Sequence, residues 1–234
     1  MKNVLCFGDS NTYGYDPAGM RDGTAVRYAQ DVRWCGVAQR DLGEGWHVIE
    51  EGLNGRTTVR DDMCHLDTNL NGIRALPMLL EAHKPLDAIV IMLGTNDSAC
   101  TGPFGAPVEP VSYYTNMKTI VDELISLYPK CKIVIHQPIW YSPNTYNGAV
   151  YLAAGLKRLE SYTPMLHKLI DHYTQTKPNQ VFLGDTAASD FFRNNYQSYF
   201  TPENGNAGTF YLHPNKEGAK ILGKYWAEAI LKIM

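Results

Sequence analysis

The stretch Asn3-Val4-Leu5-Cys6-Phe7-Gly8-Asp9-Ser10-Asn11 decides the fold: a short apolar run breaks at a glycine into a polar turn. A run of that length bounded by turn residues reads as a buried β-strand, so the serine just past Gly8 would stand at the carboxyl end of the strand. The pattern recurs along the chain. Strands are predicted over 3–7, 47–51, 88–93, 132–136 and 180–183, each bounded by Gly, Pro, Asn or Asp. Helices are predicted near 32–42, 72–83, 113–128 and 153–174. A last helix is predicted over 215–233, where Ala219, Leu222, Trp226, Ile230 and Ile233 recur at helical spacing. Strands alternating with amphipathic helices make an α/β protein with a parallel sheet covered on both faces. Ligands of such sheets bind outside the carboxyl ends of the strands.

Composition fits one compact domain over 1–234, since 234 residues at 44% hydrophobic content can bury a substantial core without metals or disulfides. With 21 Lys+Arg against 24 Asp+Glu the net charge is −3, and no charged run suggests a nucleic-acid partner. The five cysteines, Cys6, Cys35, Cys64, Cys100 and Cys131, are scattered and odd in number, which points to a reducing compartment. Met1-Lys2-Asn3 passes directly into the apolar run 4–7, too short for a signal-peptide core or a bilayer span. A cytoplasmic protein with no membrane partner is expected.

Three polar turns follow the first three strands: Gly8-Asp9-Ser10-Asn11, Gly52-Leu53-Asn54-Gly55 and Gly94-Thr95-Asn96-Asp97. They converge on one rim. Near the carboxyl end, His213-Pro214-Asn215 introduces the last helix, with Pro214 expected to fix its start and His213 to sit just outside its first turn. Acyl transfer by serine needs a hydroxyl, an imidazole to take its proton, and donors aimed at the oxygen that becomes negative. Ser10 and His213 supply the first two. The backbone N–H groups of Ser10 and Gly52 and the side-chain amide of Asn96 are the expected oxyanion donors. Asp9 and Asp97 read as supports that accept hydrogen bonds from loop N–H groups.

The ordered blocks Gly8-Asp9-Ser10-Asn11, Gly52, Gly94-Thr95-Asn96-Asp97 and His213-Pro214 resemble those of the SGNH/GDSL hydrolase family. Arg56-Thr57-Thr58 after Ile49-Glu50-Glu51-Gly52-Leu53, with Asp31-Val32-Arg33-Trp34, is most similar to its bacterial arylesterase and perhydrolase branch. The resemblance implies a flavodoxin-like three-layer α/β/α sandwich with a central five-stranded parallel sheet. It implies a carboxylic ester hydrolase acting on small acyl esters, acetylated carbohydrate among them, without metal or other cofactor. It also implies a tendency to form homo-oligomers.

One position departs from the family pattern. An Asp belongs three residues before the histidine, and Phe210 stands there. Three explanations are open: another carboxylate, Asp190, Glu203 or Asp185, reaches His213 from the preceding loop; a backbone carbonyl orients it; or the enzyme is impaired. The other histidines, His47, His65, His83, His136, His167 and His172, form no metal-like cluster. Cys6, within the first strand, reads as a small buried hydrophobe.

The loops 98–111 and 138–151 should overhang the rim, the second carrying Trp140, Tyr141, Tyr146 and Tyr151. The segment 190–210, with Phe191, Phe192, Tyr196, Tyr199 and Phe200, has little periodicity and reads as a long loop. Its aromatics would form an acyl pocket or sugar platform, or else pack the loop or a subunit contact. Two rival classes remain. A nucleotide-binding protein of the same fold lacks any G-x-G-x-x-G or G-K-[ST] phosphate cradle here. A catalytically silent carbohydrate-binding or interaction protein is the stronger rival, because of Phe210.

Overall fold

The computed structural model describes residues 1–21, 24–58, 78, 81–102 and 106–234. Its elements in chain order are β1 (Lys2–Gly8), α1 (Ser10–Tyr13), β2 (Tyr15–Arg21), β3 (Thr24–Arg27), α2 (Trp34–Leu42), β4 (Trp46–Gly52) and β5 (Ala88–Met92). They continue with α3 (Pro110–Leu127), β6 (Lys132–Ile135), α4 (Leu152–Thr176), β7 (Val181–Leu183), α5 (Ala187–Tyr199), β8 (Phe200–Gly205), β9 (Gly208–Pro214) and α6 (Lys216–Ile233). The helix expected over 72–83 falls largely outside the described residues.

Five of the strands form one parallel sheet in the order β4-β1-β5-β6-β7. Every strand predicted from sequence is in it. This is the flavodoxin-like order, in which the chain steps to one side of β1 and then returns to the other. That reversal opens a crevice between the loops that leave β1 and β5. Register brings the strand ends level there, because Gly8 pairs with Gly52 on one side and Met92 on the other.

The strands are apolar on both sides because both faces are covered. Leu5, Phe7, Ile89 and Ile91 face one core with Tyr113, Met117 and Leu166 of α3 and α4. Val4, Cys6, Val90 and Met92 face the other, with Trp34 of α2, Phe192 of α5 and Trp226 of α6. The result is a three-layer α/β/α sandwich. Each fully buried Leu, Ile, Val or Phe stabilises it by about 1.5–3 kcal/mol before the entropy of ordering is counted. Among the described residues no helix is long and apolar enough to cross a membrane.

Two hairpins stand outside the sheet, β2 with β3 and β8 with β9. Neither was expected. In the first, a register shift between Asp16 and Met20 breaks the alternation that signals a strand. The segment 190–210, read as a loop, is α5 followed by β8 and the start of β9. Its helical period was hidden because Asn195 leaves helical geometry at φ −129°, ψ 20°, and shifts the apolar face. The start of the last helix is also corrected. Pro214 ends β9, and Asn215 is the cap, its side-chain oxygen accepting from Gly218 N at 2.9 Å.

Candidate active site

At the end of β1 the chain turns directly into α1, whose first residue is Ser10. Asp9 is the cap of that helix and accepts a hydrogen bond from Asn11 N at 2.9 Å. Cap and strand end together fix the direction in which the serine leaves the sheet. Asp9 is fully buried, and burial pushes its carboxyl up to about 6 despite the Asn11 N–H and the nearby His213.

His213 reaches Ser10 from β9. Its Nε2 lies 3.0 Å from Ser10 Oγ, and its Nδ1 lies 2.8 Å from Glu203 Oε1. A carboxylate only accepts hydrogen bonds, so Nδ1 carries the proton and the Nε2 lone pair faces the serine hydroxyl. Tyr15 and the imidazole pack edge to face with ring centroids 4.6 Å apart. A hydroxyl, an imidazole and a carboxylate joined in this sequence form the chain that draws a proton from a nucleophile.

Of the three carboxylates considered, only Glu203 comes to His213. Asp185 instead caps α5, accepting from Ala187 N at 3.1 Å and Ala188 N at 3.0 Å. Asp190 is exposed on the surface of α5. Phe210 is buried in the core, and the residue paired with it across the hairpin is Glu203. Residues directly opposed in an antiparallel pair share a face. The acid therefore occupies the neighbouring strand at the same level of the ladder. A signal for this was present in the sequence. Asn204-Gly205-Asn206-Ala207-Gly208 is rich in turn residues, and a hairpin turning at 206–207 pairs 203 with 210.

Asn96 follows β5 in a single 3₁₀ turn, Asn96–Ser98. Its Nδ2 donates to Arg56 O at 3.1 Å, and its Oδ1 accepts from the Tyr151 hydroxyl at 2.9 Å. Asp97 turns inward, where it accepts from Thr58 N at 2.9 Å and from the Thr58 hydroxyl. It thereby ties the loop after β5 to the loop after β4, and its burial pushes its carboxyl up to about 6.

Gly52 packs against α1. A Cβ there would lie 2.0 Å from Tyr13 N and 2.3 Å from Thr12 C, so the residue is a glycine because α1 packs on it. The glycine of that loop which lines the cleft with Ser10, Asn96 and His213 is Gly55. It sits at the third position of a turn closed by Arg56 N to Leu53 O at 3.2 Å, with φ 81°, a conformation that favours glycine. The cleft measures about 740 Å³.

The GDSL-like lipase/acylhydrolase family model matches residues 6–221, and the chain belongs to that family. It is a carboxylic ester hydrolase on the SGNH hydrolase fold. One solved structure is 49% identical over 100% of this chain and 99% of its own, with a TM-score of 0.79. Est24, a carbohydrate acetylesterase from Sinorhizobium meliloti, is 28% identical with 100% of each chain covered and a TM-score of 0.76. The aryl esterase of M. smegmatis is also 28% identical, with 100% of each chain covered and a TM-score of 0.75. The comparison with curated proteins gives no significant match.

Proposed function

We propose that the protein hydrolyses small acetyl-type esters through an acyl-enzyme on Ser10. The observation that carries this reading is the hydrogen-bonded chain from Ser10 Oγ through His213 to Glu203. His213 Nε2 takes the hydroxyl proton as Ser10 Oγ attacks the ester carbonyl. The carbonyl oxygen becomes an anion, received by the N–H groups of Ser10 and Gly55 and by the Asn96 amide. Glu203 stabilises the imidazolium, which then gives its proton to the departing alcohol. Water, deprotonated by the same imidazole, releases the acid and restores Ser10. The family match over 6–221 supports reading the chain as one hydrolase domain.

The cleft supports a substrate larger than an acetyl group. Ala99, Gly102, Ala106, Gly148 and Ala149 line it with little side-chain bulk, and its volume of about 740 Å³ leaves room for a cyclic polyol on the alcohol side. Similarity to a carbohydrate acetylesterase supports the same substrate class. Phe210, the motive for a silent binding protein, loses its force with Glu203 beside the histidine.

The test is turnover of p-nitrophenyl acetate alongside fluorophosphonate labelling. The wild type is expected to turn over and to label at Ser10, and Ser10→Ala to lose about 10⁴-fold or more in kcat and all labelling. Turnover retained in a folded Ser10→Ala protein sinks the mechanism.

A further inference from the structure

The Asn96 amide is a directional group held from both ends, and the group that holds its oxygen belongs to a distant element. Arg56 O can only accept a hydrogen bond, so the face of Asn96 turned toward it is the NH₂. Oδ1 therefore faces the Tyr151 hydroxyl, and that hydroxyl must be the donor. One N–H of Asn96 is engaged by Arg56 O, and the other has no partner among the described residues. Ser10, Asn96 and Tyr151 all line the same cleft.

Tyr151 is itself fixed. It stands immediately before α4, is 4% exposed, and packs edge-on against Tyr141 at 5.3 Å. Its backbone N donates to Thr145 O at 3.2 Å, and its carbonyl accepts from Gly155 N at 2.7 Å. Burial raises its phenol further above the ordinary tyrosine value, so the hydroxyl keeps its proton and stays a donor.

Resting on the reading of Asn96 as an oxyanion donor, we infer that Tyr151 is the positioning residue of that donor. Its hydroxyl prevents the amide from turning its oxygen toward the developing negative charge. By donating to Oδ1 it also polarises the amide, making the remaining N–H a stronger donor. A hydrogen bond of this kind acts in the transition state more than on the bound ester, because the charge it answers forms only there.

The experiment is a kinetic cycle of Tyr151→Phe, Asn96→Ala and the double variant on p-nitrophenyl acetate, with thermal unfolding of each. Tyr151→Phe removes one oxygen and leaves the ring, so the protein is expected to fold. Its kcat should fall roughly tenfold, the size of one neutral hydrogen bond, with KM within about twofold of wild type. Asn96→Ala should lose about 10²-fold or more. Added to Asn96→Ala, Tyr151→Phe should change kcat by less than about twofold, since the group it positions is gone. An unchanged kcat in Tyr151→Phe overturns the inference, as does a loss of equal size with and without Asn96. If Asn96→Ala keeps full kcat, the oxyanion reading of Asn96 fails first and the role of Tyr151 falls with it.

Discussion

The proposed nucleophile and its proposed base are held by two different kinds of architecture. Ser10 stands at the end of a central strand with neighbours on both sides, and the cap, the turn and the sheet register that place it all lie close in sequence or in the ladder. His213 and Glu203 ride on a two-stranded hairpin outside the sheet and meet only because that hairpin has one register. Substitutions at rim positions that carry packing, such as Gly52, should therefore act through the fold, and substitutions on the hairpin pair through the chemistry.

The largest effect expected on the hairpin belongs to Glu203. Glu203→Gln keeps the shape and removes the charge, and kcat for p-nitrophenyl acetate should fall by about 10³–10⁴-fold with little change in unfolding temperature. Glu203→Asp, one methylene shorter, should fall between the two. Loss of less than about threefold in the glutamine variant would place the orienting role elsewhere.

At the rim, Gly52→Ala should separate fold from chemistry in the other direction. The new Cβ meets backbone atoms of Thr12 and Tyr13, which cannot swing aside as a flexible side chain can. Destabilisation of about 1–3 kcal/mol is expected, a fall of roughly 2–12 °C in unfolding temperature. An alanine variant as stable as wild type would mean that α1 does not rest on this residue.

The smallest effect sharpens the comparison through pH. Asp97 has its carboxyl raised by burial from 3.8 to about 6, so between those values the folded state holds more protons than the unfolded one. Stability therefore falls as pH rises through this window and is lowest above it. Asp97→Asn keeps an acceptor for the Thr58 N–H but has no charge to bury. Relative to wild type it should gain about 2 kcal/mol of stability between pH 4 and pH 7, followed by thermal melts across that range. A difference that stays constant with pH would remove the buried charge from the explanation.

The same division explains what was legible in the sequence. The rim was readable because its signals are local: an apolar run, a glycine, then Ser10 or Asn96. The hairpin showed only as the turn-rich stretch 204–208, and Glu203 could not be told from Asp185 and Asp190 until residue 203 is paired with 210. Phe210 then looked like a defect, although the acid had only moved to the facing strand. Gly52 shows a related limit. Any glycine after a strand satisfies the motif, and only the packing of α1 tells close helix contact from close substrate contact. The last helix was placed to within a residue, yet its start was attributed to Pro214, which still belongs to β9, rather than to the cap Asn215.

Ser10 and His213 are separated by 203 positions in the chain. The serine belongs to the central sheet, while the proposed base sits on a separate element that must pair its own strands before the imidazole meets the hydroxyl. On the proposed mechanism the hydroxyl is until then no more reactive than any other alcohol. The separation thus acts as a safety catch, and on that mechanism recovery of hydrolysis on refolding reports the meeting of hairpin and sheet.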